Sequence, residues 1–431
     1  MEKFQTWPSN FTNYNSALSN SPSLSSSSSS SSHSICQETH STPTLCGDAS
    51  SFNSLESKIL TNNNNNNNNP NIIISHLCIL STKTKTPQIN CLAVRHNSLY
   101  AATAREINVF DLKTLQPIDT FGPGSGLVKS IAFHGNKIFT AHQDRKIKVW
   151  NRADDTQKAR LISTLPTFKD RAFNCLRAKN YVKVRRHERR LWIEHADAVS
   201  GLAVDDEVGL MYSVSWDKCF KIWKISSGPR CMESVKAHSD AVNAIVVGPL
   251  GQMVYTGSAD GEIKIWAVCE DTQRHELVTT LNKHGSSVNA LALTGSGSGF
   301  CSGGGDGVIL VWNNNNNNNN NNNENENENL KSSYLVDCCL EGHKGAILSL
   351  VHVKSVLISG SYDRTVRIWG YGKDNLGGCL VILEGHCKPV KALVAIPDDE
   401  DDDDDDCLSV FSGSLDGEIR AWKINISHAS F

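Results

Sequence analysis

Five sets of histidine, hydroxyl and aspartate recur along the chain, and these are the residue types of an acyl-transfer triad. They are His195, Ser213 and Asp217; His238, Thr256 and Asp260; His284, Ser302 and Asp306; His343, Ser359 and Asp363; and His386, Ser412 and Asp416. In a hydrolase the histidine takes the hydroxyl proton and the aspartate orients the ring, in one set within one cleft. Here the set is repeated at regular spacing. Each copy ends in a tryptophan six residues after its aspartate: Trp223, Trp266, Trp312, Trp369 and Trp422. Five copies argue for a structural role. Other chemistry is equally thin. His187–Glu188 lacks the second histidine of H-E-x-x-H, and there is neither a Gly-rich phosphate loop of the P-loop type nor a paired-carboxylate motif. No catalytic residue, metal ligand or cofactor is assigned, and the chain is not expected to be an enzyme.

The elements that must carry these residues are short. From about residue 71, β-rich runs alternate with Gly, Asn, Asp and Ser turns, the pattern of an all-β protein. Six segments align without gaps: FTAHQDRKIKVW, YSVSWDKCFKIW, YTGSADGEIKIW, CSGGGDGVILVW, ISGSYDRTVRIW and FSGSLDGEIRAW. The first of them keeps Thr140, Asp144 and Trp150 but has Gly122 where the histidine is expected. A weaker unit precedes it, INCLAVRHNSLYAATAREINVFDL, with Phe110 in place of tryptophan. Seven units in all point to a repeat architecture.

The pattern resembles the WD-repeat family, whose units carry a histidine near the start and Trp-Asp near the end. The aspartate after tryptophan is mostly lost here, replaced by Lys224, Ala267, Asn313, Gly370 and Lys423. The resemblance implies a seven-bladed β-propeller over residues 71–425. It also implies that aspartate, histidine, hydroxyl and tryptophan form a hydrogen-bonded chain inside each blade. Too few residues follow Trp422 for a confident last strand, so NIIISHLCIL is expected to complete the last blade with residues 71–82. That removes an open sheet edge. Residues 1–70, rich in Ser and Asn, are expected to be disordered, since they cannot bury enough apolar surface. Residues 426–431 are expected to form a short tail.

Apolar residues make up 39% of the 431, and the net charge is −3. The run Asp398–Asp406 carries nine negative charges by itself, so the remainder is +6. That is not basic enough to imply nucleic acid. The fourteen cysteines contain no C-x-x-C and read as reduced thiols. No secretory signal or membrane-spanning run is visible. A soluble protein of the cytoplasm, the nucleus or both is expected, with no membrane contact and no small-molecule substrate.

Three insertions interrupt the repeats. The Asn-rich loop 313–329 and the acidic loop 398–406 belong to one rim and are expected to be solvated. The third, residues 166–194, belongs to the other rim. It holds nine basic residues against Asp170, Glu188 and Glu194, interleaved with Phe168, Phe173, Tyr181 and Trp192. YVKV and RLWI predict a hairpin. Lys183, Arg185, Arg186, Arg189 and Arg190 are the candidate partner-binding cations. Trp216 and Tyr362, each just before a turn aspartate, and Asp197, Asp240 and Lys388, each two residues after a histidine, are placed on the same rim. Aromatics and arginine dominate interface energetics. Residues 175–266 also look like the plant WD-repeat proteins of the JINGUBANG type. That implies a plant intracellular regulatory scaffold. A monomeric propeller binding other proteins is expected, with nucleic-acid association through RRHERR as the alternative.

Overall fold

The computed structural model describes residues 56–59 and 71–429, apart from 123, 125, 153–157, 227, 270, 273, 296–298, 315–333, 371–377 and 399–405. Seven antiparallel sheets follow one another along the chain, each a meander of strands a to d. The a strands are Cys91–Arg95, Val128–His134, Val199–Asp205, Val242–Val247, Val288–Leu293, Ile347–Val353 and Val390–Pro397. Each touches the next, and the seventh touches the first, so the ring is closed. The protein is an all-β seven-bladed propeller. Leu202, Ile245, Leu291 and Leu350, all on a strands, line its central channel.

Alternation along each strand sends one face of a blade to the blade before it and the other to the blade after it. The core is therefore a ring of clusters, one at each blade junction. Tyr212 and Phe220 of blade 3 pack with Val254 and Trp266 of blade 4, and Ile89 and Phe110 of blade 1 with Phe411 and Ile419 of blade 7. Each fully buried aromatic or branched side chain contributes roughly 1.5–3 kcal/mol. Close approach between blades explains the glycine after the repeat hydroxyl. A Cβ on Gly303 would lie 2.4 Å from Ile347 Cγ2, and one on Gly257 would lie 2.6 Å from Val288 Cγ1.

Blade 7 is built from both ends of the propeller sequence. Its inner strands are Val390–Pro397, Asp406–Ser414 and Glu418–Ala429, and its outer strand is Asn71–Lys83. The pairing runs from Asn71 opposite Ala429 to Lys83 opposite Glu418, and Ile74 enters the core between blades 6 and 7.

Four expected boundaries need correction. Residues 426–429 are strand and not tail, because the 13-residue outer strand supplies partners as far as Ala429. Glu56–Ile59, expected to be disordered, pairs with Ile73–His76 as a fifth strand; the rest of the segment 1–70 lies outside the described residues. Asn313 and Asn314 belong to strand c of blade 5, opposite Leu335 and Tyr334. Asp406 is the first residue of strand b in blade 7. Asp398 is also in place at the start of the acidic loop, its N–H donating to Cys407 O at 3.0 Å; residues 315–329 of the Asn-rich loop and 399–405 of the acidic loop lie outside the described residues.

The meander fixes which loops share a rim. Connections b–c and d–a leave from one end of every blade, a–b and c–d from the other. Residues 166–194 join strand d of blade 2 to strand a of blade 3, and so belong to the b–c and d–a rim. The acidic loop is an a–b connection and the Asn-rich loop a c–d connection, on the opposite rim.

Candidate functional site

The five tetrads are continuous hydrogen-bonded chains. In blade 3, Trp223 Nε1 donates to Ser213 Oγ at 2.9 Å, Ser213 Oγ lies 2.8 Å from His195 Nε2, and His195 Nδ1 lies 2.9 Å from Asp217 Oδ2. Blades 4 to 7 repeat this through Thr256, Ser302, Ser359 and Ser412. The order of donors is self-consistent when the histidine is neutral and protonated on Nδ1: indole to hydroxyl, hydroxyl to Nε2, Nδ1–H to carboxylate. Each aspartate also ties two loops together. Asp217 Oδ2 accepts from Ala196 N–H at 2.7 Å and Oδ1 from Cys219 N–H at 3.1 Å.

This geometry places Ser, His and Asp as a hydrolytic triad would, yet it cannot deliver a nucleophile. The hydroxyls are fully buried, and each is already held by an indole N–H. The charges are fixed to suit. Burial raises the Asp217 carboxyl, but the electrostatic pull and hydrogen bond of the adjacent His195 ring and the Ala196 N–H outweigh that and hold it at about 2. Against the same burial, hydrogen bonds from His238, His343 and His386 hold Asp260, Asp363 and Asp416 well below the carboxylate range. Burial lowers His195 in spite of Asp217. Glu262 and Glu418 bring a third ligand atom near His238–Asp260 and His386–Asp416, but each histidine and aspartate there already bond one another.

Blade 2 holds a residue that the repeat alignment missed. Gly122 stands where the other blades carry histidine, with φ 71°. His142, from strand b of the same blade, replaces it: its Nε2 lies 2.7 Å from Thr140 Oγ1, which accepts from Trp150 Nε1 at 2.9 Å. The signal is present as the histidine two residues after the hydroxyl, where blades 3, 4, 6 and 7 have Ser215, Ser258, Ser361 and Ser414.

The insert-bearing rim is the candidate site. After strand d of blade 2, Phe168–Cys175 forms helix α1. Its start is set by a capping box: Thr167 Oγ1 accepts from Asp170 N–H at 3.2 Å and Asp170 Oδ2 from Thr167 N–H at 3.1 Å. A hairpin follows, Tyr181–Arg185 against Glu188–Leu191. The expected hairpin is present, but RLWI is not its second strand. Leu191 and Ile193 turn down into the core beside Trp223, and that burial ends the strand at Leu191. Helix α1 was not anticipated. Asn174 on the helix accepts from Trp192 Nε1 at 3.2 Å, and Arg171 Nε donates to Glu194 Oε1 at 2.6 Å.

No residue of α1 is buried. Phe168, Phe173 and Leu176 are 85, 84 and 86% exposed. Lys183, Arg186 and Arg189 are exposed on the hairpin, whereas Arg190 is paired with Glu188; the side chain of Arg185 lies outside the described residues. Trp216 and Tyr362 are on b–c turns of the same rim. Lys129 Nζ sits 4.0 Å above the Trp216 ring, and Tyr362 is partly exposed. Asp197 and Lys388 are exposed, and Asp240 is half-buried. These residues lie on d–a connections of blades 3, 4 and 7, so they share the rim without forming one cluster. Lys129 is unusual: burial and the like charge of Lys391, only partly offset by Asp197, bring its ammonium down to about 7.

The WD domain, G-beta repeat model matches residues 115–151, 187–224, 229–267, 275–313, 336–370 and 377–423, more than half of the chain. Over 105 residues, 22% of the chain, it is 32% identical to Cell division control protein 4 of Candida albicans, covering 14% of that protein. Over 96 residues, 21% of the chain, it is 29% identical to WD repeat-containing protein pop2 of Schizosaccharomyces pombe, covering 13% of it. Over 84 residues, 20% of the chain, it is 33% identical to the DENN domain and WD repeat-containing protein SCD1 of Arabidopsis thaliana, covering 6% of it. The chain thus spans a small part of the length of these relatives. Six consecutive matched repeats decide the matter of family: this chain belongs to the WD domain, G-beta repeat proteins.

Proposed function

We propose that the protein is a non-catalytic scaffold that binds partner proteins on the rim carrying residues 166–194. One observation carries this reading. Helix α1 and its C-cap leave Phe168, Phe173 and Leu176 almost fully in water, while the hairpin beside it presents Lys183, Arg186 and Arg189. Contiguous exposed apolar surface rimmed by charge marks interaction sites, and the cations steer acidic partners. Trp216 and Tyr362 extend the surface across blades 3 and 6. The likeness of residues 175–266 to JINGUBANG-type proteins supports a place in a plant regulatory pathway, acting as a monomer in the cytoplasm, the nucleus or both.

Proximity labelling in the native cell tests the reading. A variant with Phe168→Ser, Phe173→Ser, Trp216→Ala and alanine at Arg185, Arg186, Arg189 and Arg190 should lose a defined subset of neighbours. An unchanged set of labelled proteins would sink it. The exposed cations of the hairpin also favour a second reading, nucleic-acid association. Binding of RNA or DNA that falls steeply with salt, and is lost in the four-arginine variant, would favour that one.

A further inference from the structure

Strand a carries the same irregularity in blades 2 to 7. One extra residue bulges between the first and third positions, and strand b skips it: Lys129, Ser200, Asn243, Asn289, Leu348 and Lys391. A bulge re-aims its side chain. In blades 3, 4 and 5 the re-aimed side chain is a staple. Ser200 Oγ donates to Val242 O, Asn243 Nδ2 to Val288 O and Asn289 Nδ2 to Ile347 O, each on the next a strand around the channel. Blades 2 and 7 have lysine instead. They flank blade 1, whose Asn90 holds the corresponding place and receives Lys391 Nζ on Oδ1 at 3.2 Å.

We propose that Lys129 and Lys391, with Asn90 between them and the Trp216 ring as one wall, bind an oxyanion, phosphate or carboxylate, at the mouth of the channel. Among the described residues neither lysine forms an ion pair, and both are largely enclosed yet touched by solvent. Two like charges held close in an enclosed site cost stability unless something supplies counter-charge. The groups around them supply it only in part, through Asp197 on Lys129. Asp197 is exposed and its Oδ1 takes the Ala198 N–H, and burial pushes the Cys91 thiol up to about 11, so it stays neutral. Lys391 donates to Asn90 Oδ1 and has two further N–H donors, and Lys129 Nζ lies against the Trp216 ring. An oxyanion with two free oxygens fits both, replacing the staple that blades 3 to 5 make from protein alone.

The site shares Trp216 with the rim surface proposed above but includes neither α1 nor the hairpin, and the variants used here leave Trp216 in place, so the two readings fail separately. Isothermal titration calorimetry of the full chain, at an ionic strength fixed with chloride, uses inorganic phosphate in one arm and an end-capped hexa-aspartate peptide in the other. Single-site binding of either is expected, weakened at least tenfold in Lys129→Met with Lys391→Met and unaltered in Phe168→Ser with Phe173→Ser. Tighter binding of phosphate identifies a free anion; tighter binding of peptide identifies a partner's acidic side chain. The methionine pair removes enclosed charge and should fold, and Lys129→Gln with Lys391→Gln should lose binding as well. No heat from wild type with either probe, or binding by the lysine double variants as tight as that of wild type, overturns the assignment.

Discussion

Ser213→Ala isolates what the internal chains contribute. Ser213 Oγ is the acceptor of the Trp223 N–H and the partner of His195 Nε2, and the residue is fully buried. Alanine removes one atom, so the loss of packing is small. It leaves two buried polar groups without a partner, at about 1–3 kcal/mol each, so the expected loss is about 2–6 kcal/mol. Against a domain stability of about 5–15 kcal/mol, the guanidinium midpoint should fall clearly. The background Trp223→Phe supplies the control. There the indole N–H is already gone, and Ser213→Ala orphans only the imidazole. Its cost should drop by the share of one group, about 1–3 kcal/mol, a coupling that a double-mutant cycle reads directly. Denaturation followed by circular dichroism gives all four values. A loss below about 0.5 kcal/mol, or an equal loss in both backgrounds, would show that the chain is an arrangement without energetic weight.

Acid should unfold the protein in a defined window. Asp217 is held at about 2 in the fold against 3.8 for a free carboxyl; its folded value is depressed, so its stabilisation is present above about pH 4 and lost as pH falls towards 2. By linkage that is about 2 kcal/mol for this group, with Asp260, Asp363 and Asp416 acting in the same direction. His195, also lowered, adds a loss that begins below pH 6.5, and midpoints that stay flat from pH 6 to pH 3 would contradict both. His142→Ala should cost about 1–3 kcal/mol by removing the partner of Thr140, although it touches none of the five pattern histidines; an unchanged midpoint would reduce blade 2 to its Thr140–Trp150 bond. Deleting residues 71–82 strips blade 7 of its outer strand and should abolish soluble expression, so a monomeric deletion variant with a native-like circular dichroism spectrum would refute closure by that strand.

The propeller was legible because its signature lies at fixed offsets within one strand–turn–strand unit. Asp217 and Trp223 are six residues apart in every complete copy for a geometric reason: the turn aspartate and the strand c tryptophan serve one hydroxyl on strand b. What escaped lies where pairing, and not sequence offset, decides the outcome. His142 was hidden because it reaches Thr140 from the same strand, at a position that is serine in four other blades. Helix α1 was hidden because none of its residues is buried, so it leaves no apolar periodicity; it exists through the Thr167–Asp170 capping box and the Asn174 and Arg171 contacts to Trp192 and Glu194. Lys129 and Lys391 sit in LVKSIAF and PVKALVAI, which read as plain strands. Only the register against strand b shows that these lysines are the extra residues of bulges. The same position is serine or asparagine in blades 3, 4 and 5, where it is spent on holding the ring together. A repeat protein keeps its fold by repeating such devices, so the positions where a shared device is replaced by charge are the places to look for what this particular chain binds.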